Sequence, residues 1–329
     1  MKRLRWGIIS TANIAKQFLI PAMHEADNAE VVAVASRDRQ RGQAYAKEAG
    51  IPKVHDSYEA LLADADVDAV YNPLPNHLHV PLSVQAVEAG KHVLCEKPLG
   101  LSVADIRPLL KAAADHPQRV VMEAFMYRFH PQWIKVRELI NSDELGGIKA
   151  VQAEFTYFNR DPGNVRNRAD IGGGGLLDIG CYCVSAARLA FSREPARVMS
   201  LIDMDPEFKV DRHATGVLDF APGTATFYCS MQSNPSQSVK IFGEKASLLV
   251  ENPFYRREVP SRLFLRKDNH DEMVSVGHYN HYVEMVTAFS RAALEGLPAP
   301  TPLSDALANM KVLDALFQSG QSGKWVGIE

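Results

Sequence analysis

Between residues 4 and 122, short apolar runs alternate with stretches of helical periodicity. The runs Leu4–Ile9, Val31–Ala35, Val54–His55, Ala69–Tyr71, His92–Cys95 and Val120–Glu123 are rich in Val, Ile and Leu, as strands covered on both faces should be. Helical patterns lie between them, over Asn13–Ala26, Arg39–Ala49, Tyr58–Leu62, Pro81–Ala89 and Val103–Ala114. Gly50 and Gly90 stand where helix C-caps belong. Alternating strands and helices predict a parallel, doubly wound α/β sheet over residues 1–123. The pattern then changes. Phe125 to Ile140 reads as one helix, and period-2 alternation follows. In Val151–Tyr157 the residues Val151, Ala153, Phe155 and Tyr157 alternate with Gln152, Glu154 and Thr156. In Thr224–Met231, Ala225, Phe227, Cys229 and Met231 face one way. Further strands are expected at Arg197–Ile202, Gly216–Phe220, Val239–Phe242, Ser247–Glu251 and Leu263–Arg266. Such segments build a mainly antiparallel sheet with unlike faces. Helices Tyr282–Leu294 and Ser304–Phe317 close a second domain, 124–329.

A length of 329 residues accommodates two such cores. A hydrophobic share of 46% against 23% charged excludes disordered and fibrous classes. The net charge of −3 leaves no basic footprint for nucleic acid. No apolar run approaches the ~20 residues of a membrane span, and Trp6 to Ile9 is too short for the apolar core of a secretion signal. Four cysteines are too few for a disulfide framework; Cys181 and Cys183 have no second pair at zinc spacing and read as buried thiols. The cytosol is the expected compartment.

Candidate chemistry starts at the first strand end. A dinucleotide fingerprint G-x-G-x-x-G would fall on positions 10, 12 and 15, which hold Ser10, Ala12 and Ala15. The helix that follows still offers free N–H groups and its dipole to a phosphate. Taken by itself, the turn ranks no higher than any βα turn of small residues. After the second strand stand Ser36 and Arg37, with Arg39 and Arg41 beyond, where an NAD site usually places Asp or Glu. A hydroxyl and guanidinium groups suit a ribose 2′-phosphate, which favours NADP over NAD; a solvated basic helix start is the plainer alternative.

Two motifs follow later strands: "YNPLPNHLH" at 71–79 and "CEKP" at 95–98. Pro73 and Pro75 stiffen a loop that could lie along a cofactor. His77 and His79 lack a third ligand nearby, so no metal is assigned. Pro98 keeps Lys97 out of helical geometry, and the Lys97–Pro98 bond is a candidate cis peptide. A lone lysine ending a strand would ordinarily be solvated. A third segment, "IGGGGLLDIGCYCVSAARLA", sets four glycines before an apolar helix, with Asp178 and Tyr182 four residues apart. Separately, Asp178 suits a helix dipole and Tyr182 a core. Together they could face Lys97. Phe158, Asn159, Arg160 and Arg166 fit a polyhydroxylated ring and an ordinary surface loop equally. His278 and His281 read as surface residues at a helix start.

These residues jointly resemble the glucose–fructose oxidoreductase, inositol dehydrogenase and rhizopine-catabolism (Gfo/Idh/MocA) oxidoreductases. The resemblance rests on the first βα turn, "NPLPNHLH", "EKP", "EAFMYRFHPQ" and "GGGGLLDIGCY", and covers nearly the whole chain. It implies an N-terminal Rossmann domain, a C-terminal α/β domain with a large open sheet, and assembly into a homodimer or homotetramer through that sheet. Tyr182, where the inositol dehydrogenase branch has His, is similar to dimeric dihydrodiol dehydrogenases and NADP-dependent xylose dehydrogenases. The resemblance implies NADP contacts from Ser10, Thr11, Ala12, Asn13, Ile14, Ser36, Arg37, Arg41, Pro73, Leu74, Asn76, His79, Glu96 and Lys97. It implies Lys97, Asp178 and Tyr182 as catalytic residues, with Phe158 and Arg166 joining them at a sugar, polyol or cyclic trans-diol. A tyrosine with a reference pKa of ~10 needs a cation beside it to move a proton near neutrality, and Lys97 would supply one. A catalytically silent nucleotide-binding regulator of the same fold is the alternative.

Overall fold

The computed structural model describes residues 2–254, 262–268, 270–277 and 279–328. It divides into two compact units, Met1–Met126 with Asn280–Leu307, and Tyr127–Tyr279 with Ala308–Glu329. In the first unit, strands β1 (Leu4–Ile9), β2 (Ala29–Ala35), β3 (Lys53–His55), β4 (Ala69–Asn72), β5 (His92–Cys95) and β6 (Val121–Glu123) form one sheet in the order 3-2-1-4-5-6. Every pairing is parallel. This is the predicted doubly wound sheet, with its switch point between β1 and β4, where such folds hold ligands at the carboxyl ends of the strands. β4, β5 and β6 are wholly buried, which explains their unbroken apolar runs. Gly50 and Gly90 end their helices at φ 67° and 78°, where a Cβ would be strained.

The helix His281–Glu295 packs within this first unit. Trp6 donates its indole N–H to Ser290 Oγ at 3.2 Å and meets the Phe289 ring at 5.0 Å. Phe18 stacks on Tyr282 at 5.3 Å, and Asn28 donates to the Thr287 carbonyl at 3.0 Å. A distant segment thus seals one flank of the parallel sheet.

Two expected helices are broken by proline. The first contains a π-helical stretch, Ala15–Leu19, before a regular turn Ile20–Glu25. Pro21 lacks an N–H and would press on the carbonyl four residues back; a wider turn ahead of it relieves that clash. The expected helix Phe125–Ile140 is instead a 3₁₀ turn, Met126–Phe129, and a helix Pro131–Asn141. Pro131 holds His130 extended (ψ 134°), and His130 Nδ1 accepts the Gln132 N–H at 3.0 Å as the cap.

The second unit carries a nine-stranded sheet. Its strands are β7 (Ile148–Phe158), β8 (Arg197–Met204), β9 (Asp211–Asp219), β10 (Thr224–Ser230), β11 (Gln232–Gly243), β12 (Ser247–Glu251), β13 (Arg262–Lys267), β14 (His270–Ser275) and β15 (Val326–Gly327), ordered 14-13-12-11-7-10-9-8-15. All pairs are antiparallel except β7 with β10. Val151, Ala153, Ala225, Phe227 and Cys229 are buried, as their alternation predicts. The helix Cys181–Phe191 packs on β7 and β10. The segment Ala169–Phe191 is long and apolar enough on average to cross a membrane, yet 94% of that window is buried inside the fold, which marks it as a core helix. His278 lies outside the described residues; His281 opens its helix after the Asn280 cap.

Trp6 is fully buried and carries a hydrogen bond as well as ring packing. Trp6→Ala should lower unfolding free energy by about 3–5 kcal/mol, read from urea denaturation; a loss under about 1 kcal/mol would show that the flanking helix does not depend on it.

Candidate functional site

In the first unit the site begins where β1 ends. Ser10 has φ 85°, the backbone conformation that the first fingerprint glycine normally supplies. A serine held there costs about 1–3 kcal/mol, which the surrounding bonds must offset. The Ser10 N–H donates to the Ala35 carbonyl at 3.1 Å, and Tyr45 Oη donates to the Ala12 carbonyl at 3.0 Å. Burial keeps the Tyr45 phenol far above its ordinary pKa, so it remains a donor. The turn therefore keeps the glycine-type bend without the glycine.

A groove of about 190 Å³ runs from this turn past the end of β2. Ser10, Thr11 and Ala12 line it from the first turn; Ser36, Arg37, Asp38 and Arg41 line it from the second, with Tyr58 and Leu74. Arg37 and Arg41 are exposed, and neither guanidinium has a side-chain partner among the described residues. The Asp38 carboxylate caps the next helix by accepting the Arg41 N–H at 3.0 Å. Ser36 lines the groove and also shapes the turn. Its hydroxyl donates to the Asp38 carbonyl at 2.7 Å and accepts the Asp38 N–H at 3.2 Å. Asn13 is exposed and Ile14 half-buried at the helix start. Tyr58 lines the groove without having been singled out: an aromatic after a short strand carries no signal that separates a groove wall from core.

The segment around Lys97 is pinned by three side chains. Tyr71 Oη donates to Glu96 Oε1 at 2.6 Å, Glu123 Oε1 accepts the Leu99 N–H at 2.7 Å, and His79 Nδ1 lies 2.7 Å from the Pro98 carbonyl. Burial, with the adjacent Glu96 charge, pushes the Tyr71 phenol well up, which keeps it protonated. The Lys97–Pro98 peptide is cis. Pro73 and Leu74 are buried, and Asn76, Glu96 and Lys97 are half-buried. Asn72 ties the proline loop down, donating to the His79 carbonyl and to Ser83 Oγ at 3.0 and 3.1 Å. His79 is 1% exposed, and its other ring nitrogen lies 2.7 Å from the Leu74 carbonyl. Burial pushes its pKa down to about 4, against the pull of the two carbonyls. A neutral imidazole carries one N–H, so His79 bonds one of these two carbonyls and packs against the other.

In the second unit the glycine run makes room for the chain itself. A Cβ on Gly173 would press into the Arg166 and Arg168 carbonyls. Gly174 has φ 125°, and its Cβ would collide with Asp211 Oδ1. Beyond the run, Leu176–Gly180 is a π-helical turn leading into the helix Cys181–Phe191. Asp178 thus lies in the wide turn and Tyr182 in the regular helix. Asp178 Oδ2 accepts from Tyr157 Oη at 2.6 Å and from Arg166 Nε at 2.8 Å. The Asp178 carboxylate keeps Arg166 firmly charged, while burial, with that same carboxylate, drives the Tyr157 phenol far above its usual range. Tyr157 is therefore a fixed donor. The Tyr182 ring is 4% exposed and meets Phe254 at 5.3 Å, Phe155 at 5.6 Å and Tyr127 at 5.8 Å. Phe158 is 65% exposed. Asn159 and Arg160 are engaged within the second unit: Asn159 Oδ1 accepts from Asp161 and Asn167, and Arg160 pairs with Glu207 at 2.7 Å. Cys95, Cys181, Cys183 and Cys229 are buried free thiols.

Two residues here escaped the sequence reading. Tyr157 sat among alternating apolar positions and read as core. Asp211 opens β9, far along the chain from the glycines it touches. Its carboxylate is 3% exposed and accepts the Leu176 N–H at 2.5 Å.

Fold and site define a dinucleotide-binding oxidoreductase: a doubly wound sheet with a phosphate-type turn, joined in sequence to a large-sheet domain. A model of the oxidoreductase family with NAD-binding Rossmann fold matches residues 4–125, and one of the GFO/IDH/MocA C-terminal domain matches residues 133–249. The chain belongs to the Gfo/Idh/MocA oxidoreductase family. It is 42% identical to an uncharacterized oxidoreductase of Rhizobium meliloti, over 99% of both chains. It is 35% identical to D-xylose 1-dehydrogenase (NADP(+)) 2 of Haloferax volcanii, over 99% of this chain and 100% of that one. The crystal structure of KijD10, a 3-ketoreductase from Actinomadura kijaniata in complex with NADP and TDP-benzene, superposes with a TM-score of 0.90 at 29% identity, covering 97% of this chain and 98% of that one.

Burial is the chief cause that raises Asp211 to about 7, and the nearby Asp178 charge adds to it. The folded protein then holds a proton that the unfolded chain, with an ordinary Asp pKa near ~3.9, releases. This contribution is fully present below the unfolded pKa and is lost as pH rises through about 7. Asp211→Asn should accordingly gain in urea midpoint relative to the parent between about pH 4 and about pH 8. A difference that stays constant with pH would show that Asp211 keeps an ordinary pKa.

Proposed function

We propose that the protein is an NADP-dependent dehydrogenase or reductase that acts on a hydroxyl or carbonyl carbon of a sugar, polyol or cyclic trans-diol. The observation that carries the cofactor choice is the pair of guanidinium groups, Arg37 and Arg41, without partners beside the groove that begins at Ser10. Two cations past β2 without side-chain partners among the described residues suit a 2′-phosphate, and Asp38, which lines that groove, caps a helix. NADP-linked relatives over the full length support the same reading.

The cofactor supplies a hydride acceptor or donor at its nicotinamide ring; the protein supplies the rest. Ser10 to Ile14 present main-chain N–H groups and a helix start to the pyrophosphate. Pro73, Leu74, Asn76 and Glu96 form the loops that flank the dinucleotide, and His79 holds those loops from beneath. Tyr182 Oη takes the substrate hydroxyl proton during oxidation and returns it during reduction. The Lys97 ammonium holds the substrate oxygen and favours the phenolate. Asp178, loaded by Tyr157 and Arg166, keeps a fixed carboxylate toward the substrate side. Phe158 and Arg166 offer an apolar face and a charged donor to the sugar or diol.

The resemblance also suggests assembly through the large sheet as a homodimer or homotetramer. Exposed Leu201 and Met204 on β8 and Met273 on β14 provide apolar surface for it. Four reduced, buried thiols suit the cytosol.

A panel of aldoses, polyols and trans-1,2-cyclohexanediol, run with NADP and with NAD, tests the assignment. Turnover with NADP is expected; binding without any turnover would favour the silent regulator. Tyr182→Phe and Lys97→Met should each lose about 10²–10⁴-fold in kcat while still binding NADPH, as measured by fluorescence titration. Arg37→Ala with Arg41→Ala should weaken NADPH by about 10²-fold or more and leave NADH within a few-fold, since only the former carries the extra phosphate. Equal losses for both cofactors would remove the 2′-phosphate assignment.

A further inference from the structure

The glycine run and the two residues it launches are held by one side chain from another part of the sheet. Asp211 opens β9, 35 residues beyond Leu176, and is buried. Its Oδ2 accepts the Leu176 N–H at 2.5 Å, at the first residue of the π-helical turn that carries Asp178. Its Oδ1 occupies the space that a Cβ on Gly174 would fill, and a Cβ on Gly175 would touch the Asp211 carbonyl at 3.4 Å. The Asp178 N–H, in turn, bonds back to the Gly174 carbonyl at 3.1 Å. A helix N-terminus leaves its first N–H groups without intrahelical partners, so a buried one needs an external acceptor. No side chain at the conventional cap position supplies it here: position 175 is glycine, with no side-chain cap bond.

We infer that Asp211 is a positioning residue for the reaction, a cap contributed from β9 that sets the glycine turn and, through it, the placement of Asp178 and Tyr182. The inference rests on the reading of Asp178 and Tyr182 given under Proposed function. Asp211 does not touch substrate in this scheme. It acts through the turn, so what it controls is how precisely the carboxylate and the phenol are aimed. Misplacement of such groups by about 1 Å can cost ~10²-fold in rate without loss of binding.

Three substitutions separate geometry from charge. Asp211→Asn keeps an oxygen to accept the Leu176 N–H. Asp211→Glu keeps the carboxyl group but pushes it one methylene further into the glycines. Asp211→Ala removes the acceptor. Each is compared by NADPH affinity, by kcat and KM on the panel substrate that the parent turns over fastest with NADP, and by hydrogen–deuterium exchange over residues 172–182. The expected result is a fall of about 10–10²-fold in kcat for Ala and Glu. NADPH affinity should stay within a few-fold, exchange over 172–182 should quicken, and Asn should recover most of the rate. Should Ala fail to fold, the contrast between Glu and Asn decides alone. Parent-like kcat and exchange in Glu or Ala would overturn the inference, as would an Asn variant no better than Glu. If Tyr182→Phe is also fully active, the site reading has failed; if it is inactive while the Asp211 variants are not, only the present inference falls.

Discussion

Main chain that leaves regular structure inside a protein still has to satisfy its N–H and C=O groups, and each reactive segment here depends on how that is done. An unmet buried polar group costs about 1–3 kcal/mol. In the first unit, Glu123 accepts the Leu99 N–H and His79 lies against the Pro98 carbonyl, while Tyr71 holds the Glu96 side chain. In the second, Asp211 meets the start of the turn that carries Asp178. None of these four needs to react. On the proposed function, their bonds hold the segments that carry the lysine and the carboxylate.

The phosphate turn follows the same logic from the other direction. Ser10 stands in a glycine conformation that costs stability, yet the strand-to-strand bond to Ala35 and the Tyr45 bond to Ala12 hold it there. The function of the fingerprint is a backbone path and a set of outward N–H groups, and small residues can follow that path when the surroundings enforce it. The letters G-x-G-x-x-G are one way to encode it.

This explains what could be read from the chain beforehand. Periodicity gave the parallel sheet, the antiparallel sheet and the burial of Val151, Ala153, Ala225 and Phe227, because burial of whole faces leaves a pattern in local sequence. It missed the break at His130, where Pro131 overrides an apolar pattern, and the π-helical turn ahead of Pro21. Lys97, Asp178 and Tyr182 drew notice through motif and company, and their roles are the ones proposed above. Their supports drew none. Tyr157 alternates like a core residue, His79 stands in a motif offered to a cofactor, and Asp211 is separated from the glycines by a helix and a strand. A contact across 35 residues leaves no periodic trace. The bonds of the Ser36 hydroxyl to its own turn were not legible, since a hydroxyl beside a turn can bond its own backbone as readily as a ligand.

The two units also handle charge in opposite ways, and the chemistry asked of each accounts for it. Arg37 and Arg41 are exposed and have no side-chain partners among the described residues, a state that costs little in water and, on the proposed function, leaves both guanidinium forks for a dianion arriving from solvent. Arg166 and Asp178 are paired within 2.8 Å, with Tyr157 on the same oxygen. Uncommitted surface cations suit a ligand that must be caught and released. A closed donor–acceptor set suits groups that must already stand in place when a proton moves, because no reorganisation is then required at that moment. On the proposed function, binding strength would reside in the exposed arginines and rate in the paired network around Asp178.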